Sequence, residues 1–273
     1  MADSVMEHIA ALKDEDWAVR EEAAQALGSY RDVRAVGPLV ESLKDPDRAV
    51  RDAAMAALTR IGEDSVPALG TCLLKGDLDV QEAAASILAQ IGDQRVLDPL
   101  IGALDSSDWI VRMHAAKALG RIGDCRAVKA LIPLLHDKVK AVREDTAAAL
   151  VLIGRPALPL LLEALRHEEW LVRLHAVEAL GKMKSQEAVE PLLAMLFNDR
   201  DTAVREDAAR ALGDIGDSRA VEYLLVAVNQ SGLRPLATEA LGKIGDRRAV
   251  PTLIAVVTGA HRPAESRLIH GCG

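Results

Sequence analysis

The chain has 273 residues, half of them hydrophobic yet only 2% aromatic, and a formal charge of −8. This composition excludes an aromatic-rich core and demands an Ala/Leu/Ile/Val interior of closely spaced helices, with axes about 8–10 Å apart. The negative charge disfavours nonspecific binding to nucleic acid or anionic membranes and suits a basic partner surface.

Cys72, Cys125 and Cys272 are widely spaced and form no metal-ligand pattern, as expected of unpaired thiols in a reducing compartment. The first residues lack a basic segment followed by an apolar run, and no stretch approaches the length of a membrane span. A soluble cytoplasmic protein is expected.

Taken in chain order, residues 2–13 predict an amphipathic helix with Val5, Ile9 and Leu12 at helical spacing, and Asp14–Asp16 turn the chain into a second helix. The next unit repeats that plan, with helix A over residues 35–44, a turn at Asp45-Pro46-Asp47, and helix B from Arg48 to about Ile61. Pro38, Pro99, Pro133, Pro191 and Pro251 are expected early in their A helices, where a missing N–H costs least. B helices close with Ile-Gly-Asp at residues 91–93, 122–124, 215–217 and 244–246. The glycine suits a left-handed C-terminal position and the aspartate caps the following helix.

Units three and six open differently, with Ser65-Val66-Pro67 and Arg155-Pro156-Ala157, so local changes of twist are expected there. After a last A-type helix near residues 249–257, the segment 259–273 is expected to be a cap or a flexible tail.

A recurring Val-Arg register sets the period. Arg20, Arg51, Gln81, Arg112, Arg143, Arg173, Arg205 and Arg234 follow one another at steps of 31, 30, 31, 31, 30, 32 and 29. A period near 30 without strand signals predicts an all-α solenoid of about eight two-helix repeats plus a terminal helix, one continuous array over residues 1–258.

The stretch 108–124, Asp-Trp-Ile-Val-Arg-Met-His-Ala-Ala-Lys-Ala-Leu-Gly-Arg-Ile-Gly-Asp, resembles the short HEAT-like repeat of the phycobilin-lyase type, and the resemblance runs from about residue 2 to 258. It implies a right-handed superhelix with A helices outside and B helices lining the concave side. The family it points to includes bilin lyase subunits, assembly scaffolds and proteins without an assigned activity.

Counted from the Val-Arg arginine, positions +3, +4, +6 and +7 are apolar and predicted buried, which leaves −3, +1, +2 and +5 for the exposed face. All three tryptophans occupy position −3, and position +2 alternates His114, Asp145, His175 and Asp207. The candidate partner-binding residues are therefore Trp17, Trp109, Met113, His114, Glu144, Asp145, Trp170, Leu174, His175, Glu206 and Asp207. Rigid aromatics and adaptable methionine suit recognition, and the carboxylates suit selection of a basic partner. The alternative is that each tryptophan folds over its own turn and the carboxylates form a solvated face near helix N-termini. The repeated arginines lie in register with Asp45, Asp137 and Asp199, which predicts a structural Arg–Asp ladder interrupted at Gln81.

Three enzymatic readings compete with a scaffold. Deoxyhypusine hydroxylase, also a helical-repeat protein, holds iron through adjacent His-Glu pairs. Here His114 and His175 stand two units apart, too far to share an ion, and His167-Glu168 falls in a turn. The HEAT-like alkylpurine DNA glycosylases need a basic groove, which the acidic positions do not supply. A bilin lyase subunit is the stronger alternative, with a tetrapyrrole against Trp109 and Trp170 and its propionates near Lys117 or Arg210. No catalytic triad, phosphate loop or paired-cysteine motif appears. The expected function is a noncatalytic protein-binding scaffold without cofactor or metal, its partner a basic protein or peptide, with neither nucleic acid nor membrane.

Overall fold

The computed structural model describes residues 2–92 and 94–258, so the expected tail at 259–273 lies outside the described residues. Every regular element among them is helical, and the chain divides into two compact units at Ile153/Gly154. The first contains α1 (Ala2–Ala11), α2 (Trp17–Tyr30), α3 (Val36–Ser42), α4 (Arg48–Ile61), α5 (Val66–Lys75), α6 (Leu78–Ile91), α7 (Gln94–Ala103), α8 (Trp109–Ile122), α9 (Val128–Leu131) and α10 (Lys140–Ile153). The second contains α11 (Leu158–Ala164), α12 (Trp170–Lys182), α13 (Val189–Asn198), α14 (Thr202–Ile215), α15 (Val221–Ala227), α16 (Arg234–Ile244) and α17 (Val250–Val257).

The fold is an all-α solenoid. Each even-numbered helix packs on the odd-numbered helix of its own repeat and on the even-numbered helix of the next repeat within its unit, as in α2 on α4 and α12 on α14. The core repeats with the sequence: Leu27, Leu58, Leu88 and Leu119 are fully buried from the even helices, and Leu39, Leu69, Leu100 and Leu131 meet them from the A helices or their short equivalents. Alanines at positions +3 and +4 fill the space between, so the helices approach closely.

Punctuation explains where helices stop. Gly92, Gly123, Gly216 and Gly245 take φ of 63°, 72°, 76° and 70°, and each amide reaches back to the carbonyl of Leu88, Leu119, Leu212 or Leu241. Asp124, Asp217 and Asp246 then accept the backbone N–H two residues on, starting a 3-10 turn that leads into the A helix. Arg31 and Lys184 hold the same slot with φ of 53° and 51° where other repeats use glycine.

The 3-10 lead-ins also correct two expectations. Helix A of the second repeat runs only over Val36–Ser42, behind a 3-10 turn at Val33–Ala35, rather than over 35–44. Pro99 lies inside α7, and Pro133 falls where α9 gives way to a 3-10 segment, Ile132–His136. A proline has no N–H for the carbonyl four residues back, so tightening to 3-10 geometry is the local response at Pro133.

Candidate functional site

The even helices begin alike. Asp16, Asp47, Asp108 and Asp201 cap their helices by accepting the N–H of Ala18, Ala49, Ile110 and Ala203. The next residue is the first of the helix and points away from the core. It is Trp17 or Trp109 in two of these helices, and Trp170 holds the same place after Glu169, which makes no cap hydrogen bond; the three remain 48%, 40% and 40% exposed. Tryptophan so exposed offers part of a flat apolar plane to solvent.

One turn further on, Met113 and Leu174 are half-buried beside Trp109 and Trp170 respectively, one such pair in each unit. Glu144 is exposed, while Asp145, Glu206 and Asp207 are half-buried. His114 and His175 depart from expectation: they are 7% and 6% exposed and belong to the packed interior. Positions −3, +1 and +5 stack at i, i+4 and i+8, but +2 is rotated by roughly 100° from +1 toward the seam between neighbouring helices. In that seam an imidazole is covered, whereas a carboxylate stays partly in water. Burial pushes the His114 pKa below its usual value. His175 Nδ1 lies 3.2 Å from Glu178, which also accepts Lys182 Nζ at 2.7 Å. The hydrogen bond from His175, acting against burial and helped by Lys182, holds the Glu178 carboxyl at about 2.

The carboxylates of this face are largely matched. Lys117 reaches Asp145 at 3.2 Å, Lys140 reaches Glu144 at 3.2 Å, Arg48 reaches Asp52 at 3.5 Å, and Arg210 pairs with Asp207. Glu22, Glu82 and Glu206 make no ion pair among the described residues, and they carry the residual negative charge of the face. Among the described residues no three His, Cys, Asp or Glu side chains come together as a metal-ligand set.

The Arg–Asp ladder is present, and among the described residues Arg20, Arg112 and Arg173 form complete rungs. Arg20 donates through Nε and Nη2 to both oxygens of Asp45 at 2.7 and 2.9 Å. Arg112 does the same to Asp137 at 2.7 and 3.0 Å, and Arg173 to Asp199 at 2.8 and 2.9 Å. Each arginine also binds through Nη1 to two carbonyls of the turn before its own helix, so one guanidinium ties two successive turns together. Burial is the largest influence on Asp137 and Asp199 and opposes their ionisation, but the hydrogen bonds from Arg112 and Arg173, those from the Val139 and Asp201 backbone N–H and the nearby arginine charges together outweigh it and hold both carboxyls below their usual range. Gln81 interrupts the series as expected, and it is buried with its Oε1 unpartnered.

A second set of glycines escaped the sequence reading. A Cβ on Gly28 would lie 2.7 Å from the Ala57 Cα, and on Gly120 2.6 Å from that of Ala149; the corresponding distances are 2.9 Å for Gly181 and Ala211 and 2.8 Å for Gly213 and Ala240. These glycines sit eight residues after the repeat arginine, in the Leu-Gly that recurs along the chain, and that recurrence was the available signal.

Compared with known families, the chain matches the model for HEAT repeats over residues 6–80, 66–151, 131–207, 158–231 and 189–268. Against curated protein sequences the comparison returns no match. Among solved structures it is similar to Kap95p bound to RanGDP, at 16% identity and a TM-score of 0.62 over 96% of this chain and 44% of that one. It is similar to yeast importin-β, Kap95p, at 17% identity and a TM-score of 0.59 over 94% and 43%. The complex of CpcE and CpcF of phycocyanin lyase from Nostoc is also similar, at 26% identity and a TM-score of 0.34 over 93% and 92%. The chain thus spans less than half the length of the importin-type proteins. No single helix among the described residues is long and apolar enough to cross a membrane.

Proposed function

The chain belongs to the HEAT-repeat family, and from that premise we propose that it is a noncatalytic, cytoplasmic scaffold that captures a protein or peptide on the exposed face of its even-numbered helices. The observation that carries this reading is the exposure of Trp17, Trp109 and Trp170 at one register position, each the first residue of its helix. Trp109 with Met113 and Trp170 with Leu174 form the apolar anchors, one in each unit. Rigid aromatic planes lose little entropy on binding, and a preformed helical face has its ordering cost met before the partner arrives. Glu22, Glu82, Glu144, Asp145, Glu206 and Asp207 orient a basic partner around those anchors, with Glu144, Asp145 and Asp207 exchanging their internal cations for the partner's.

Trp109→Ala with Trp170→Ala is expected to weaken partner capture by about 2 kcal/mol or more, while helical content and melting temperature stay close to those of the parent chain. The measurement is affinity capture beside circular dichroism on the same two proteins. Equal loss of binding and folding would move the tryptophans to a purely structural role.

A bilin lyase-type subunit is the second reading, favoured by the Trp-x-Val-Arg sequence at residues 17–20, 109–112 and 170–173 and by the flat surfaces of Trp109 and Trp170. It predicts visible-light absorbance in the captured fraction that disappears with the tryptophans.

A further inference from the structure

At Arg51 the ladder has an open edge. Arg51 holds its own turn as the other arginines do, donating through Nη1 to the carbonyls of Asp45 at 2.7 Å and Pro46 at 2.9 Å. Its other edge, Nε and Nη2, has no partner among the described residues. The turn it faces in sequence reads Lys75-Gly76-Asp77, with lysine and glycine where the corresponding turns of complete rungs place Asp45, Asp137 and Asp199. The edge is not closed off by packing, because Arg51 is half-buried and lines a groove of about 470 Å³ between α4 and α6. Arg48, Asp52, Asp79, Glu82 and Arg121 line the same groove, and of these only Arg48 and Asp52 pair with each other.

We propose that this groove is a binding site for an acidic side chain of a peptide, received by the open Nε/Nη2 edge of Arg51. The ligand chemistry is read from the molecule itself: in three repeats the same edge takes a carboxylate with both oxygens, at 2.7–3.0 Å. A bidentate fork matches a carboxylate in a way that a lone ammonium does not. Asp79 and Glu82 beside it repel a purely acidic ligand and attract a cation, so the preferred segment carries an acidic residue next to a basic one. The groove lies in the first unit and shares Glu82 with the face proposed above, but none of the three tryptophans lines it, so either proposal can fail without the other.

The test is a titration of the full chain, labelled with ¹⁵N-arginine, with the dipeptide acetyl-Asp-Lys-amide at constant ionic strength, following the Nε–H resonances. A saturable downfield shift at Arg51 is expected, with Arg112, whose edge Asp137 already fills, remaining silent. Acetyl-Asn-Lys-amide, which lacks the carboxylate, is expected to bind about tenfold more weakly. Arg51→Gln should abolish the binding, and Arg51→Lys, which keeps the charge without the fork, should weaken it about fivefold or more. An Asn peptide that binds as well as the Asp peptide, a parallel response of Arg51 and Arg112, or inorganic phosphate displacing the Asp peptide at lower concentration would each overturn the assignment. The titration of the unmodified chain decides the question even where a variant fails to fold.

Discussion

An added methyl at Gly120 would stand 2.6 Å from the Cα and 2.7 Å from the Cβ of Ala149, closer than any relaxed contact allows. Both partners are at backbone or next to it, so relief requires α8 and α10 to move apart along their length. Gly120→Ala is therefore expected to destabilise the chain by about 1–3 kcal/mol, the usual range for overpacking, although alanine is the better helix former. Chemical denaturation of the variant checks it. No change in stability would mean that the helices slide past the added methyl without cost. The histidines teach the same lesson about position: His114 and His175 share a register with Asp145 and Asp207, yet only the carboxylates keep a fifth or more of their surface in water, 24% and 20%. Binary pattern assigned all four to one face, because polar residues at +2 look alike until the neighbouring helix is in place.

At the scale of the element, the guanidinium rungs are the joints of the solenoid. A complete rung fixes two turns with a bidentate carboxylate pair and two backbone carbonyls, and the rung between Arg173 and Asp199 is the most deeply buried of the three. Arg112→Ala strands a mostly buried Asp137 and frees the carbonyls of Ser106 and Ser107, with an expected cost of about 3 kcal/mol. The same joints set the response to acid. Asp45 is lowered by its hydrogen bond to Arg20, and Asp137 and Asp199 are lowered despite burial, so their stabilisation is present above the ordinary carboxylate range and drains away as pH falls through it. Glu178, held at about 2, extends that loss to lower pH, and His114, lowered by burial, begins it from its ordinary value of 6.5. All these groups act with one sign. Melting temperature should fall steadily from near neutrality toward pH 2, and Arg112→Ala should flatten the part of that slope below about pH 4. A parent chain and variant with identical acid slopes would exclude the rung as a contributor.

For the molecule as a whole, each compact unit encloses its own leucine and alanine core and at least one complete rung. In a solenoid each repeat draws its stability from itself and its nearest neighbours, so residues 1–153 alone are expected to remain helical and to melt cooperatively, at a lower temperature than the full chain. Circular dichroism of that fragment is the check, and a non-cooperative melt would show that the first unit needs the rest of the chain. The repeat period, the helix class, the left-handed glycines, the aspartate caps and the Arg–Asp register were all legible in the amino-acid sequence, because each arises from contacts within one repeat or from a strict offset between adjacent ones. The exposure of the candidate tryptophans was legible for the same reason: the first position of these helices has few neighbours, and Trp17, Trp109 and Trp170 all hold it. What only the tertiary structure decided was what happens in the seams. Burial of His114 and His175, the close approach of Gly120 to Ala149, the matching of Lys117 with Asp145 and the open edge of Arg51 depend on how near two helices come and which side chain of the next repeat arrives. That distance is set by packing of the whole stack, and no window of sequence carries it.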